Sequence, residues 1–458
     1  MKITVLGAGP GGYEAAIAAA KKGAEVTLIE KDSLGGTCLN RGCIPTKALL
    51  ASYNTYETVE KASDFGIETE GEIKIDYAKM IERKNKVVAN LVKGIHYLMD
   101  HNGVKIVNGF GKLIDSNHIE VTKDDGSVES VESDYIILAT GSVPVTPGVF
   151  KYDGKKVITS NEILDQTEPP KSLVLVGGGV IGCEIGQFLA KMGTEVTVVE
   201  MLPQLLPTMD EDVAKQLGRQ FKKEKIKVVT GDGIASVEPG EDDVKMTLQS
   251  GKEISAEQVL VAIGRAPFTK GCGFEEAGVK MTERGRVEVN EYLQTSLPNV
   301  YAIGDIISSA MLAHVASKEA LVAVDNIFGA KKSVNYDAVP ACVYTNPEIA
   351  VVGKSEAELK REGKTYKTGS FDFKGLGKAQ ASGHIAGFVK VITDENDVII
   401  GAAIVGSGAT DMLQVLTNAV TFKATSAQVG DAIFPHPTMS EAILEALHDL
   451  HGESIHKA

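Results

Sequence analysis

One pattern occurs twice in this chain. Residues 3–30 read as an apolar strand, a glycine turn, an Ala-rich helix and a second strand ending in Glu30. Residues 173–200 read the same way and end in Glu200. Each copy predicts a strand–helix–strand unit whose turn and helix N-terminus face a pyrophosphate, and two copies imply two nucleotide ligands or two halves of one site. In Gly7-Ala8-Gly9-Pro10-Gly11-Gly12, the residues Gly7, Gly9 and Gly12 permit close approach of phosphate to backbone, and Glu30 is placed to bond a ribose hydroxyl. A lone glycine motif also serves plain helix–strand packing, but here strand, turn, helix, strand and terminal acid all fit.

The second copy, Gly177-Gly178-Gly179-Val180-Ile181-Gly182, repeats the device with Gly177, Gly179, Gly182 and Glu200. A carboxylate there accepts from a ribose diol and repels a 2′-phosphate. The following Met201-Leu202-Pro203 offers no arginine, so NAD is favoured over NADP. The plainer reading makes Glu200 a solvated acid at a strand end.

Between the repeats lie a helical stretch over 77–99 and short strands near 104–108, 118–122 and 135–138. Prolines at 144–147 and 169–170 mark domain crossings. Further apolar strands are expected at 259–263 and just before Gly304-Asp305. After Tyr336, strands near 349–352, 388–392 and 398–405 followed by helices suit an α+β domain. The expected class is α/β: two Rossmann-like dinucleotide-binding domains plus a C-terminal α+β domain.

A net charge of −14 argues against nucleic acid or an anionic membrane as the main partner. No apolar run reaches spanning length, and the first strand begins almost at Met1, so a soluble, cytoplasmic protein is expected. Five cysteines over 458 residues do not make a disulfide framework, which turns attention to the close pair Cys38 and Cys43. Pro45 fits the first turn of a helix and sets Cys43 beside its N-terminus, where the dipole lowers a thiol pKa; Lys47 adds positive charge. An undistorted helix rises about 7.5 Å over five residues, beyond the roughly 4.4–6.8 Å Cα separation of a disulfide. If these cysteines pair, the segment must bend, and Gly42 eases that. A redox pair, two inert buried thiols and part of a zinc site all remain open, although no second Cys or His pair completes a four-ligand set. Cys183, Cys272 and Cys342 read as small packing residues. Near the end, Pro437 keeps His436 out of helical geometry; His436 with Glu441 reads as an acid/base and its orienting partner, or Thr438 with Glu441 as a capping box.

Taken together, Gly35-Gly36-Thr37-Cys38-Leu39-Asn40-Arg41-Gly42-Cys43-Ile44-Pro45-Thr46-Lys47 resembles the active-site sequence of the two-cysteine flavin disulfide reductases. The resemblance covers essentially the whole chain in order. It takes in both glycine motifs, Ala139-Thr140-Gly141-Ser142, Ala262-Ile263-Gly264-Arg265, Ala302-Ile303-Gly304-Asp305, Met311-Leu312-Ala313-His314 and the stretch 436–441. Within the family it is similar to members that oxidise protein-bound dihydrolipoyl groups through a Cys38–Cys43 disulfide and FAD, reducing NAD.

The resemblance implies a tightly but non-covalently bound FAD on the first glycine motif and Glu30, its pocket completed by Lys47, Gly111, Thr140, Gly141, Ser142, Asp305, Met311, Leu312, Ala313 and His314. Lys47 would pair with Glu184, and NAD would lie on the second motif with Glu184, Glu200, Ile234 and Gly264. It also implies an FAD domain in two parts (1–143 and 267–337), an NAD domain (144–266) and a dimer-interface domain (338–458). The implied partners are a second copy of the chain, forming a homodimer with a cis His436–Pro437 bond beside each partner's disulfide, and a lipoyl domain or carrier protein; no metal is expected. Asn346 stands where His is common in the family, and Phe434-Pro435 replace a more polar lead-in to His436.

Overall fold

The computed structural model describes residues 1–307 and 310–457; Ser308, Ser309 and Ala458, which fall in the expected 267–337 and 338–458 stretches, lie outside the described residues. The chain forms two compact units: residues 1–146, 159–168 and 264–334 in the first, and 147–158, 169–263 and 335–458 in the second.

The first unit is built on a parallel five-stranded sheet in the order Val300–Ala302, Tyr135–Leu138, Lys2–Leu6, Glu25–Glu30, Lys105–Asn108. These strands are apolar on both faces, as a doubly covered sheet requires. Ile3, Val5, Leu28 and Ile137 point into one core, shared with the helices Pro10–Lys21 and Ala313–Ile327. Leu6, Ile29, Ile136 and Leu138 point into the other, shared with Leu113, Ile119 and Val121 of a small antiparallel sheet, Phe110–Leu113, His118–Thr122 and Val128–Glu132. The two-residue period of the strands makes that division.

The second unit repeats the parallel sheet, ordered Lys227–Thr230, Glu195–Glu200, Ser172–Val176, Gln258–Val261, Val157–Ile158, with a three-stranded antiparallel sheet, Ile234–Pro239, Val244–Leu248 and Glu253–Ala256. Its C-terminal part is an antiparallel sheet, Ala341–Val343, Ile349–Gly353, Ile399–Gly406, Gly387–Thr393, Lys367–Asp372, covered by the helices Ala409–Thr421 and Glu441–Asp449. Within this unit a buried ionic knot ties helix starts to a strand. Lys390 Nζ meets Asp210 at 2.8 Å, Asp212 at 2.8 Å and Glu356 at 2.9 Å. Burial pulls its pKa down, but the three carboxylates prevail and hold it above the ordinary lysine range.

The expected helix over 77–99 runs Tyr77–His101, its first turn capped by the Asp76 side chain accepting from Lys79 N. The expected strand 259–263 stops at Val261, because the chain turns away at Gly264 with φ +134°. The unit changes at 146/147 and 168/169 fall at the proline crossings. Unit changes also fall at 263/264 and 334/335, near the expected 266/267 and 337/338, and the expected NAD-binding and dimer-interface stretches lie largely in one unit. Residues 159–168 belong with the first unit, where the fully buried Lys84 donates to Leu164 O at 2.7 Å and Asp165 Oδ1 at 2.8 Å. No described helix is long and apolar enough to cross a membrane.

Candidate active site

The cysteine segment bends where the sequence allows. Cys38 sits in the short helix Gly36–Arg41 and Cys43 opens the helix Cys43–Glu60, with Gly42 (φ −143°, ψ −115°) breaking the two apart. A Cβ at Gly42 would stand 2.9 Å from Thr37 O and 3.3 Å from Cys38 Cα, so glycine here is what lets the two cysteines meet. Their sulfurs are separate thiols, hydrogen-bonded to each other. That contact, then burial, pushes the Cys38 thiol up, with the Cys43 amide and Lys47 acting against it. Cys43 opens its helix, where the N-terminal dipole favours a thiolate. Cys183 and Cys272 are buried, and burial pushes both thiols up, to about 11 for Cys272.

The first glycine turn fits a dinucleotide. The helix Pro10–Lys21 has no capping side chain, and a Cβ at Gly9 would meet nothing within 4 Å, leaving amides and space for a pyrophosphate. Gly12 is packed against the turn, its Cβ direction pointing 1.8 Å from Gly7 O; at Gly7, with φ +103°, a Cβ would run into Ala139 O. Glu30 accepts from Ala8 N at 2.7 Å and Asp32 N at 2.9 Å, bracing the turn. Each of its oxygens retains a lone pair for a hydroxyl. Gly111 has no room for a side chain beside Leu6 and Ile29.

The remaining expected pocket residues of this unit are placed as follows. Thr140 donates to Phe268 O at 2.5 Å, Gly141 takes φ +72°, and Ser142 donates to Asp305. Met311, at φ +48°, and Leu312 lead into the helix Ala313–Ile327, whose second residue is His314. A cavity of about 480 Å³ opens between Asn40 and the helix Tyr77–His101, lined by Asn85, Val88, Val92, Lys93 and His96.

The second turn fits equally well. The helix Val180–Lys191 has no capping side chain, Gly179 is open, and the Gly182 Cβ direction points 2.1 Å from Gly177 O. Glu200 accepts from Gly178 N at 2.7 Å and Leu202 N at 2.8 Å. It is buried, which replaces the solvated strand-end reading. Val180 within the motif, Met201 and Leu202 just after its acid, and Ile263 before Gly264 are exposed apolar side chains. Glu184, buried in the helix, accepts from Tyr344 N at 2.8 Å; Ile234 opens its strand, and Gly264 is exposed.

His436, in the second unit, donates or accepts through Nδ1 at 2.8 Å from Glu441 Oε1, and the His436–Pro437 bond is cis. Burial raises the Glu441 carboxyl, but the Thr438 amide at 2.9 Å and His436 outweigh it and hold the group below the usual range. With Glu441 ionised and Nδ1–H directed at it, Nε2 is the basic atom of His436. The capping-box reading is corrected: the helix starts at Glu441, and the Thr438 hydroxyl turns instead to Pro435 O and Ser440. Glu441 orients His436 and accepts the Thr438 amide at once. Among the described residues, no group of three or more His, Cys, Asp or Glu could hold a metal ion.

Sequence reasoning passed over several residues. Arg265 donates to Ser142 Oγ and Ser142 O at 2.7 Å and to Thr37 Oγ1 at 3.4 Å, joining the cysteine segment to the Ser142–Asp305 pair. Tyr13 lies in the field of Cys38, its phenol pushed up to about 12 by burial, Glu14 and Cys38. Glu319, fully buried, accepts from Gly304 N at 2.6 Å. The signal for Arg265 was its place directly after Gly264; for the other two nothing local marks them.

Residues 1–320 match the family model described as pyridine nucleotide-disulphide oxidoreductase, and residues 339–447 match that of its dimerisation domain. The mitochondrial dihydrolipoyl dehydrogenase 1 of Arabidopsis thaliana is 40% identical over 463 residues, spanning 99% of this chain and 91% of its own. The dihydrolipoyl dehydrogenase of Bacillus subtilis is 40% identical over 470 residues, spanning 99% and 98%. Among solved structures, LpdA of Mycobacterium tuberculosis matches with a TM-score of 0.92 at 28% identity, over 98% of this chain and 99% of its own.

Proposed function

The chain belongs to the pyridine nucleotide-disulphide oxidoreductase family, and within it we propose a dihydrolipoyl dehydrogenase that oxidises protein-bound dihydrolipoyl groups and reduces NAD. The observation that carries this reading is the Cys38–Cys43 thiol pair across a glycine helix break, set directly after a dinucleotide turn. The first turn with Glu30, Lys47, Gly111, residues 140–142, Asp305 and residues 311–314 would hold FAD; the second with Glu184, Glu200, Ile234 and Gly264 would hold NAD. When bound, FAD supplies the relay between a two-electron thiol couple and a hydride acceptor.

The chain's own residues would carry the following steps. His436 Nε2 takes the proton from one substrate thiol, with Glu441 stabilising the imidazolium. The substrate thiolate attacks Cys38 Sγ of the oxidised pair; the Cys38–Cys43 bond breaks and its electron pair leaves on Cys43, at the helix N-terminus. The second substrate thiol attacks the substrate sulfur of the mixed disulfide; that sulfur's bond to Cys38 breaks and the thiol's proton passes to the departing Cys38 sulfur, giving a cyclic lipoyl disulfide and a Cys38 thiol. The dimerisation domain supports a homodimer. By the resemblance to two-cysteine flavin disulfide reductases, whose C-terminal domains pair about a two-fold axis, the proposed dimer would give each site its base from the partner chain, with a separate lipoyl-bearing protein as substrate carrier, in the cytoplasm.

Rapid NAD reduction by dihydrolipoamide tests the activity. Anaerobic reduction should give a long-wavelength absorbance band that Cys38→Ser shows without reductant and Cys43→Ser lacks; a band unchanged in Cys43→Ser would reverse the two sulfurs. For the shared site, Cys43→Ala and His436→Ala homodimers should each be nearly inactive, His436→Ala by about 10²–10⁴-fold. A subunit-exchanged mixed dimer should regain activity, since one of its two sites keeps both groups. A hybrid verified by mass that stays inactive places the base in its own chain.

A further inference from the structure

Gln187 lies one helical turn beyond Glu184 on the helix of the second glycine turn, and both side chains face the backbone of 344–346. Gln187 is almost wholly buried, 2% exposed, and its amide makes three hydrogen bonds there. Nε2 donates to Asn346 O at 2.7 Å and to Glu224 Oε2 at 2.9 Å, while Oε1 accepts from Asn346 N at 2.7 Å. Glu224 is itself fixed by Gln220 at 2.7 Å and Lys191 at 3.3 Å, so the amide has one orientation that satisfies all partners. Two residues before Asn346, Tyr344 N donates to Glu184 Oε1 at 2.8 Å. The side chain of Gln187 thus grips the peptide of Asn346 by both polar groups, and the same short segment delivers the amide that orients Glu184.

We propose that Gln187 is a positioning residue for the nicotinamide half of the reaction: its clamp on Asn346 holds Tyr344 N–H on Glu184 and so fixes the Glu184 carboxylate. This rests on the reading that Glu184 serves the NAD side of the site. It also gives Asn346 a defined task, since the clamp takes its backbone and leaves the identity of its side chain open to change. The physical reason for a two-bond grip is that a single hydrogen bond lets a loop pivot, whereas opposed bonds to the N–H and the C=O of one residue fix both its position and its orientation.

The test uses the FAD-loaded enzyme with Gln187→Ala and Gln187→Met, the second keeping side-chain volume without either bond. Residue-resolved amide exchange should show Asn346 and Tyr344 both protected in the parent and both exposed in each variant. In rapid mixing, reduction by NADH should slow by about 100-fold, the order expected of a misplacement near 1 Å. Reduction by dihydrolipoamide should stay within twofold. Retained protection at Tyr344, or equal slowing of both half-reactions with lowered FAD content, overturns the proposal. Lost protection with an unchanged NADH step also overturns it, and Glu184→Ala then shows where the fault lies. If that variant too reduces normally with NADH, the role given to Glu184 is wrong; if it is slow, Glu184 acts and Gln187 does not position it.

Discussion

The two glycine-turn units match position for position, from Gly7 and Gly177 to Glu30 and Glu200, and they differ in what packs on the turn. In both, the terminal acid accepts the amide of the turn's second residue at 2.7 Å and an amide two residues further along the chain. In both, the carbonyl of that second residue accepts from a later loop at 2.8 Å, Gly35 N for Ala8 and Leu206 N for Gly178. The fifth position separates them. Gly11 is pressed by Ala316 O and Ile303 Cδ1, both 3.1 Å from where a Cβ would stand, because the helix Ala313–Ile327 crosses there. Its counterpart is Ile181, and Val180 beside it is exposed. The frame that grips a dinucleotide is thus the constant part. The turn that continues into the cysteine segment is sealed by tertiary packing, and the other is left open along its apolar flank.

Substituting the buried glycine at the end of each motif should break that comparison most severely. Gly12→Ala places a methyl on Gly7 O and should yield protein without FAD, inactive in every assay. Gly182→Ala meets Gly177 O in the same way, yet should retain FAD and reduction by dihydrolipoamide while losing NAD binding, at a stability cost of about 1–3 kcal/mol. Equal FAD content in the two purified variants would show that the units are not assigned to different nucleotides.

Each unit also hides one lysine, and their replacement should separate the units in stability. Lys390→Met strips the cation from three carboxylates, one of them buried, and should cost about 3–5 kcal/mol in chemical unfolding. Lys84→Met removes a carbonyl partner and one exposed aspartate, so about 1–2 kcal/mol is expected. A larger loss for Lys84→Met would mean that the ionic knot is not what holds the second unit together. The smallest effect is expected from the paired acids. Glu200→Ala should relax the preference for NAD over NADP by about 1–3 kcal/mol, read from the ratio of kcat/KM values. Glu30→Ala should leave that ratio unchanged while weakening FAD retention; a shift with Glu30→Ala would undo the assignment.

Much of the site was legible because its motifs are local. A glycine turn, its helix and its acid lie within some 28 consecutive residues, and short-range sterics dictate what such a stretch can do. The bend between Cys38 and Cys43 was legible for the same reason, since helical rise forbids their pairing without it. Arg265, Glu319 and Gln187 were not legible in their roles. Each acts on a backbone or hydroxyl group outside its own element, 15 residues away for Glu319 and 159 for Gln187, and an arginine, a glutamate or a glutamine carries no sign of such a partner. Thr438 shows the converse: a capping-box pattern was present, but the hydroxyl found Pro435 O and Ser440 nearer to hand.

By itself the sequence determined two doubly covered parallel sheets, two nucleotide turns and a thiol pair at a helix start. Backbone sterics and strand or helix periodicity act over a few residues and leave few alternatives. Only the tertiary structure decided that residues 159–168 join the first unit, that one lysine closes a ring of three carboxylates, and that a glutamine clamps a peptide 159 positions away. Those depend on which surfaces meet after folding, where burial makes every unpaired polar group costly and so selects the arrangement in which each finds a partner.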